Sequence, residues 1–403
     1  MFSDITTVNA NLAPGVDTLV YAAGSAGVTV NLTTGLASGF GTIGSIANIT
    51  GGDGNDTLTG SAGVNILIGN AGNDVLAGLA GNDTIFGNTG NDTILYTMGD
   101  GADVVDGGGD SDTLNITGGA ANANDVLDVI YNGSVITSVE SGAVSNVELI
   151  NANLNGGTDT LSYAGSNSSV SVNLAVVLAQ TASGFNTLQN VENVTGGNAA
   201  DTIIGSAVAN VLIGGAGADT ITGGAGADAI NVGTANDDLV DLVIYTELTD
   251  AGDTVTNFDS NGAVGTDDLI AFGGNLSTLA LGLDDVVDDN VIAWAFGNGA
   301  NGGNTAAALG TVEALFLAGT NGEGTNNGGL TNATTVANEF NSEFAITGAG
   351  DAFLVVNSTN GNNFAVWHYL EAGTAEIQAA ELQLFGIFTS NADVAMEQFA
   401  FIA

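Results

Sequence analysis

Aspartate recurs at one position of a nine-residue repeat, and this regularity is the strongest chemical signal in the chain. From Gly51 the sequence reads GGDGNDTLT, GSAGVNILI, GNAGNDVLA, GLAGNDTIF and GNTGNDTIL, and two residues later MGDGADVVD and GGGDSDTLN. The sixth position holds a side chain with an oxygen donor: Asp56, Asn65, Asp74, Asp83, Asp92, Asp103 and Asp112. A second block over 196–240 places Asp201, Asn210, Asp219, Asp228 and Asp237 at the same position.

The spacing of the repeats predicts how these side chains are brought together. Glycines at the first, second and fourth positions permit turns with positive φ. Positions seven to nine read as a short strand whose central Leu, Ile or Val points into a core. Two repeats then make one coil, so that every second turn stacks at the strand spacing of ~4.8 Å. We expect columns formed by Asp56, Asp74, Asp92 and Asp112; by Asn65, Asp83 and Asp103; by Asp201, Asp219 and Asp237; and by Asn210 and Asp228.

Stacked carboxylates about 5 Å apart repel each other unless a cation lies between them. The glycine turns also leave backbone carbonyls bare, and a set of roughly six to eight carboxylate and carbonyl oxygens suits Ca²⁺ better than Mg²⁺. We therefore predict several bound Ca²⁺ ions. The predicted metal ligands are Asp56, Asp74, Asp83, Asp92, Asp103, Asp112, Asp201, Asp219, Asp228 and Asp237.

Some repeats depart from this pattern. Asn65 and Asn210 lack the charge of aspartate, so we expect weak or empty sites at their turns. Ala199, Val208 and Ala235 replace the glycine at the fourth position. We therefore expect more calcium in 51–115 than in 196–240.

The composition limits the partners of the chain. Its 403 residues include 44 Asp and Glu but no Lys or Arg, which gives a formal net charge of −44. Nucleic acid and anionic membrane surfaces attract cationic side chains, so neither is an expected partner. A hydrophobic content of 44% predicts a packed core rather than disorder. Cysteine is absent, and no apolar run is long enough for a membrane span, so we expect no disulfide and no membrane insertion. No Sec-type signal is visible at the N-terminus.

The chain contains an internal duplication. Residues 15–32 resemble 157–174, and 45–69 resemble 190–214. We predict an all-β fold: a right-handed parallel β-solenoid in two related halves, followed by a C-terminal β-rich domain. The predicted segments are solenoid coils at 1–50, the first repeat block at 51–115, a connecting strand segment related to 1–50 at 116–195, the second repeat block at 196–248, and a capping or assembly domain at 249–403.

Two elements of the last segment can be predicted in more detail. Residues 351–370 place two β-rich runs around a turn and predict a hairpin. Residues 374–388 carry apolar residues at helical spacing and predict a helix.

The repeats resemble those of the RTX (repeats-in-toxin) family, whose nonapeptide G-G-x-G-x-D-x-U-x forms a calcium-binding parallel β-helix. GGDGNDTLT at 51–59 matches the pattern at every defined position, and the clear resemblance covers 51–115 and 196–240. It implies a calcium β-roll that is exported by a type I secretion system of a Gram-negative bacterium. Residues 253–272 and the apolar, acidic C-terminus are similar to the region that this family uses as its secretion signal.

Catalytic chemistry finds little support in the sequence. The chain has no G-x-S-x-G motif and no zinc-binding helix motif, and its one histidine, His368, lies between Trp367 and Tyr369 in a predicted strand. Thr57 and Thr59 fit the Thr-x-Thr pattern of ice-binding solenoids, but the following turns do not repeat this pattern. We therefore expect no enzyme.

Three functions remain open at this stage. The first is a secreted calcium-binding structural protein that folds outside the cell and assembles with itself into a surface layer or an extracellular filament. The alternative is a calcium-dependent adhesin that binds a cell-surface glycan through Trp294, Trp367 and Tyr369. The lesser alternative is a secreted hydrolase with an unrecognised site in 249–403.

Overall fold

The computed structural model describes residues 15–176, 180–234, 239–250, 252–258 and 268–272, and the backbone of short strands elsewhere. The chain divides into two compact units, Met1–Gly197 and Asn198–Ala403. Both are built from short strands, and the helical structure of the described residues is one 3₁₀ turn, Leu248–Asp250. In this part of the chain, no helix has the length and apolar character needed to span a bilayer.

The first unit contains strands β1 to β22. Their bounds are β1 Asn9–Asn11, β2 Thr18–Val20, β3 Thr29–Asn31, β4 Leu36–Ala37, β5 Thr42–Gly44, β6 Asn48–Thr50, β7 Thr57–Thr59, β8 Ile66–Ala71, β9 Val75–Ala77, β10 Thr84–Thr89, β11 Thr93–Thr97, β12 Val104–Gly109, β13 Thr113–Thr117, β14 Val126–Tyr131, β15 Ile136–Val139, β16 Gly142–Ser145, β17 Leu149–Asn153, β18 Thr160–Ser162, β19 Ser171–Asn173, β20 Thr181–Ala182, β21 Thr187–Gln189 and β22 Asn193–Thr195.

The second unit contains strands β23 to β37. Their bounds are β23 Thr202–Ile204, β24 Val211–Ile213, β25 Thr220–Thr222, β26 Ala229–Asn231, β27 Leu242–Tyr245, β28 Asp253–Phe258, β29 Leu269–Phe272, β30 Phe296–Gly297, β31 Ala307–Ala308, β32 Ala314–Leu317, β33 Ile346–Thr347, β34 Ala352–Asn357, β35 Asn363–Tyr369, β36 Leu382–Ser390 and β37 Phe399–Phe401.

Strands of successive coils pair in parallel, with a register set by the repeat length. Thr57 pairs with Val75 on one side of the first unit, and Ile66 pairs with Thr84 on the other. One side stacks β2, β6, β8, β10, β12 and β16, and the opposite side stacks β3, β7, β9, β11, β13, β17 and β21. The predicted parallel β-solenoid is therefore confirmed.

Two residues added after the fifth repeat are absorbed without loss of pairing. Tyr96 and Thr97 extend β11, and Tyr96 turns inward so that its hydroxyl donates to the carbonyl of Gly101 at 2.8 Å. The next coil is correspondingly longer, and Thr93 pairs with Thr113.

The core is a ladder formed by the central residue of each strand. In the first block these side chains are all buried: Leu58, Leu67, Leu76, Ile85, Ile94, Val105 and Leu114. In the second unit the same role falls to Ile203, Leu212, Ile221, Ile230, Val243, Val255 and Ile270. Each coil is too thin to bury this residue alone, so burial depends on the coils above and below it.

The second unit keeps its pairing after the nine-residue rhythm ends. Thr202 pairs with Thr220, as the rhythm requires, but Thr220 then pairs with Leu242 and Leu242 with Leu269. Asp253–Phe258 still adds to the sheet as β28.

The C-terminal strands complete the second unit. Strands β34 and β35 pair antiparallel, which confirms the predicted hairpin. Phe388 of β36 is buried and packs edge-on against Tyr245 and Phe258, with ring centroids 6.4 and 5.8 Å away. Phe388 thereby adds an aromatic ring to the core beside Tyr245 and Phe258. The capping role of 249–403 stays a prediction.

The helix predicted over 374–388 is wrong for its last seven residues. Residues 382–388 belong to β36, which pairs in parallel with β28 on one side and antiparallel with β35 on the other. Pairing with two strands overrides a local helical pattern, because backbone hydrogen bonds of the segment are made in the sheet. Residues 374–381 lie outside the described residues.

One hairpin turn of the first unit carries backbone strain. Strands β15 and β16 pair with Val139 opposite Gly142, so the turn between them consists of Glu140 and Ser141. Both have positive φ, at 49° and 68°. Two-residue hairpin turns of this kind normally use Asn-Gly, because residues with a Cβ resist the left-handed region.

We therefore expect Ser141→Gly to stabilise the fold by about 1 kcal/mol, measured as the shift in free energy of unfolding in urea. Ser134→Gly is the matched control: Ser134 is exposed and has no positive φ, so the same substitution should cost about 0.5–1 kcal/mol. Equal effects of the two substitutions would contradict strain at Ser141.

Candidate metal centre

The sixth-position carboxylates form a ladder of buried hydrogen bonds. The N–H of Asp56 donates to Oδ1 of Asp74 at 2.7 Å, and Asp74 and Asp92 donate in the same way to Asp92 and Asp112, each at 2.8 Å. In the second column the N–H of Asn65 donates to Asp83 and that of Asp83 to Asp103. All of these side chains are buried. Each carboxylate thus stands in line with the next, and one of its oxygens joins two coils.

The second unit contains the same ladder, with one correction. Asp201 donates to Asp219 and Asn210 to Asp228, both at 2.8 Å. The rung after Asp219 is Asp241, at 2.7 Å, rather than Asp237. Asp237 lies outside the described residues. The sequence spacing misplaced this rung because the coil is four residues longer than two repeats.

Two further rungs extend beyond the repeats. Asp228 donates to Oδ1 of Asp253, and Asp241 donates to Oδ1 of Asp268. A weak signal for these rungs exists in the sequence, since each of Asp241, Asp253 and Asp268 stands two residues before a buried aliphatic side chain. The pattern Asp-x-Val or Asp-x-Ile is so short that it also occurs by chance. Only the strand pairing shows that these three aspartates belong to the ladder.

The turns that carry these carboxylates are of two kinds. In the closed turns, the N–H of the second residue donates to the side chain of the sixth: Gly52 to Asp56 at 2.8 Å, Ser61 to Asn65 at 2.6 Å and Ser206 to Asn210 at 2.7 Å. In the open turns the second residue has positive φ. These second residues are Asn70, Leu79, Asn88, Gly99, Gly108, Gly215 and Gly224.

At five of these open turns one carboxylate oxygen is buried without a hydrogen-bond donor. These oxygens are Oδ2 of Asp74, Asp83, Asp92, Asp112 and Asp228. A buried charge without a compensating partner is costly, and the chain has no Lys or Arg to provide one. The open turns therefore have a deficit that a cation would satisfy.

Backbone carbonyls lie close to the carboxylate oxygens at the open turns. A Cβ added to Gly69 would collide with Oδ2 of Asp74 and lie 2.8 Å from the carbonyl oxygen of Gly87, one coil on. The missing Cβ therefore lets a carboxylate and a carbonyl converge. Within the described residues no three Asp, Glu, His or Cys side chains gather at one point. Carboxylate and carbonyl oxygens fit Ca²⁺.

The closed turns have no such deficit. Both oxygens of Asp56 accept backbone N–H groups, from Gly52 and from Val28. Asn65 accepts from Ser61, and its Nδ2 donates to the carbonyl of Ala47 at 2.6 Å. An aspartate at position 65 would set a carboxylate against that carbonyl, which gives a structural reason for the amide. The metal role of the ten predicted ligands, Asp56 included, stays a prediction.

The substituted fourth positions of the second block are compatible with their turns. Gly72, Gly81 and Gly90 have φ values of 114°, 133° and 115°. Ala199 and Val208 have no positive φ, and neither does Gly54 of the first block. Alanine and valine are therefore accommodated without strain in the first two turns of the second block. Ala235 lies outside the described residues.

Burial raises the pKa values of several carboxyl groups in the ladder. Desolvation raises the pKa of Asp74 to about 6, against an opposing hydrogen bond from the Asp56 backbone and with added repulsion from Asp92. Burial likewise raises the pKa of Asp92, Asp103 and Asp228 to about 6. For Asp253 burial raises the pKa to about 8. The fold without metal therefore keeps these groups protonated up to a higher pH than an ordinary carboxyl group.

The RTX calcium-binding nonapeptide repeat is the family whose model matches this chain. The matches, in a family model of four repeat copies, cover 48–76, 59–94, 99–122, 195–230 and 204–239. No curated protein matches the chain. The two blocks are thus RTX repeats, which bind calcium, and the predicted resemblance and the predicted Ca²⁺ are confirmed.

Asp74→Asn and Asp56→Asn should have different effects on the metal-free fold. An amide at position 74 removes a buried charge that lacks a donor, so we expect stability without calcium to be kept or raised and calcium affinity to fall. An amide at position 56 would set a donor against the N–H of Gly52 or Val28, costing about 1–3 kcal/mol. Urea unfolding in EDTA and calcium titration measure the two effects; a larger loss of metal-free stability in Asp74→Asn would contradict the assignment.

The pH dependence of stability should reverse when calcium is added. The folded-state pKa values near 6 of Asp74, Asp92, Asp103 and Asp228 exceed the ordinary 3.8. Protonation therefore stabilises the metal-free fold below about pH 4, and this stabilisation is lost as the pH rises through about 6. Calcium binds the deprotonated carboxylates, so its affinity should rise over the same range. Unfolding midpoints at several pH values in EDTA and in calcium test this; a metal-free midpoint that rises with pH would contradict it.

Proposed function

We propose that this chain is a secreted structural protein that folds on calcium outside the cell and assembles with itself into a surface layer or an extracellular filament. The observation that carries the proposal is the ladder of buried carboxylates in a chain without Lys or Arg. Every aspartate of the ladder adds negative charge to the interior, and the chain has no Lys or Arg to compensate it.

The charge supports folding after export. A net charge of −44 opposes compaction unless counter-ions are bound. Calcium is scarce in the cytosol and plentiful outside the cell, and where a site forms only in the folded state, binding free energy becomes folding free energy. An unfolded chain inside and a folded chain outside suit type I secretion from a Gram-negative bacterium, which is the route that RTX repeats are characteristic of.

The outer face of one sheet supports assembly through the sides of the solenoid. Ile66 of β8 and Val104 of β12 are 40% and 44% exposed, and they flank Thr84 of β10 in one row across the sheet. At the other sheet, the two-residue strand β4 pairs antiparallel with β3 and covers that edge. Short edge strands of this kind oppose end-to-end pairing. Self-association through a side face is therefore the better supported mode.

The adhesin alternative rests on aromatic residues of the tail. Trp367 and Tyr369 belong to β35, and Trp294 lies outside the described residues. Calcium-dependent folding is expected of both the structural protein and the adhesin. The oligomeric state of the folded protein in calcium therefore distinguishes them. The proposal includes no enzymatic activity, no nucleic-acid partner and no membrane insertion.

Calcium addition to EDTA-treated protein should produce a β-type circular dichroism spectrum and then ordered sheets or fibres in electron microscopy. Ile66→Thr with Val104→Thr should keep the calcium-induced spectrum and reduce assembly, because both residues become like the neighbouring Thr84. Leu95→Thr is the control, since Leu95 is similarly exposed on the opposite sheet. A spectrum insensitive to chelation would refute calcium folding, and monodisperse monomers in calcium would favour the adhesin.

A further inference from the structure

An Asn-Gly pair lies in the loop that joins β14 to β15. Asn132, Gly133, Ser134 and Val135 form this loop, and all four are exposed. The loop lies outside every range matched to the RTX repeat. Asparagine followed by glycine is prone to spontaneous deamidation, because glycine has no Cβ to hinder attack by its backbone nitrogen on the neighbouring side-chain amide. The loop is therefore a candidate for covalent change.

The side chain of Asn132 is folded back over its own loop. Its Oδ1 accepts the N–H groups of Ser134 and Val135, each at 3.0 Å. An Asx turn of this kind brings the side-chain carbonyl back over the peptide that follows it. When Cγ is attacked, Oδ1 gains negative charge, and two donors aimed at an oxygen stabilise such a charge. The loop itself therefore activates the amide of Asn132.

The attacking nitrogen and the leaving group of this loop make no competing contacts. Within the described residues, neither the N–H of Gly133 nor Nδ2 of Asn132 donates a hydrogen bond. Gly133 has a φ of 97°, and a Cβ at this position would lie 3.3 Å from Oγ of Ser168. The fold thus requires glycine at position 133, and this glycine leaves the reacting nitrogen accessible.

Asn155-Gly156 is the same pair in a setting that opposes the reaction. Asn155 is also exposed, but its Nδ2 donates to the carbonyl of Gly118 at 3.0 Å. Deamidation there would break this bond and set a carboxylate against the carbonyl. At position 132, by contrast, a carboxylate would accept the same two N–H groups in charge-assisted bonds. The fold therefore favours the acid at position 132 and the amide at position 155.

We propose that Asn132 is a modification site that deamidates spontaneously, with water as the co-reactant. The nitrogen of Gly133 forms a bond to Cγ of Asn132 and gives its proton to water, while Nδ2 takes up a proton and leaves as ammonia. A cyclic imide results. Water then opens this ring: cleavage of the bond from the nitrogen to Cγ gives aspartate, and cleavage of the bond from the nitrogen to the backbone carbonyl carbon gives isoaspartate.

The two products differ in their effect on the hairpin of β14 and β15. Aspartate keeps the acceptor for Ser134 and Val135 and adds one negative charge to the loop. In isoaspartate the chain continues through Cγ, so the backbone gains one methylene and this acceptor is lost. The loop is closed by the N–H of Asn132, which donates to the carbonyl of Val135 at 3.2 Å. Isoaspartate therefore alters the closure of the hairpin, whereas aspartate alters its charge.

The reaction is tested on the full chain at mildly alkaline pH, folded in calcium and unfolded in urea with EDTA. Cleavage before Asp and after Glu releases residues 128–140 and 149–158, which each carry one of the two pairs, and mass spectrometry measures their deamidated fractions. In the folded protein Asn132 should convert about tenfold faster than Asn155, equivalent to about 1.4 kcal/mol in the barrier. In urea the two rates should be similar. Equal rates in the folded protein, or the same ratio in both states, would overturn the proposal.

Asn132→Asp and Asn155→Asp are a matched pair, because each adds one charge at an exposed Asn-Gly. Asn132→Asp should keep or raise the folding equilibrium constant, whereas Asn155→Asp should lower it by a factor of about ten, since its carboxylate would face the carbonyl of Gly118. Urea unfolding in calcium measures both constants. A larger loss in Asn132→Asp would overturn the preference for the acid at position 132. Neither measurement depends on assembly, so its failure is distinguishable from that of the proposed function.

Discussion

The hydrogen bond from a backbone N–H to a buried carboxylate one coil away is the contact on which both units depend. It satisfies a donor that would otherwise be orphaned in the turn, and it places an acidic side chain where water does not reach. In the first block it runs unbroken from Asp56 through Asp74 and Asp92 to Asp112. The same bond that aligns the coils therefore collects negative charge inside the protein.

This constraint explains why the turns are of two kinds. Where the second residue turns its N–H toward the side chain, as in Gly52 with Asp56, the rung is complete without metal. Where that residue takes positive φ, as in Asn70, Oδ2 of Asp74 is left without a donor. The closed turns can thus hold their strands in place without metal. In the open turns, carboxylate oxygens are left without a donor, and a cation would satisfy them. Stability and metal binding are divided among turns of nearly identical sequence.

The ladder also accounts for parts of the chain that look unrelated to the repeats. Glu148 and Glu192 replace aspartate where a short Asn-Val-Glu turn replaces the glycine turn, and both still accept the N–H of the aspartate one coil below. In the second unit Asp241, Asp253 and Asp268 continue the columns through coils of unequal length. Each of these coils brings a carboxylate back to the column, although the number of residues between rungs varies.

Periodicity alone was enough to predict the solenoid, its inward ladder of Leu58, Leu76 and Ile94, and the columns of the first block. Each of these follows from a repeat of constant length, so counting residues gives position. Counting failed where coil length changed, and Asp237 was predicted in place of Asp241 for that reason. It also could not separate Asp56 from Asp74, because both belong to nearly identical motifs. Which carboxylate oxygens lack a donor depends on the φ of a neighbouring residue and on the coils above and below, and only the stacked structure sets both.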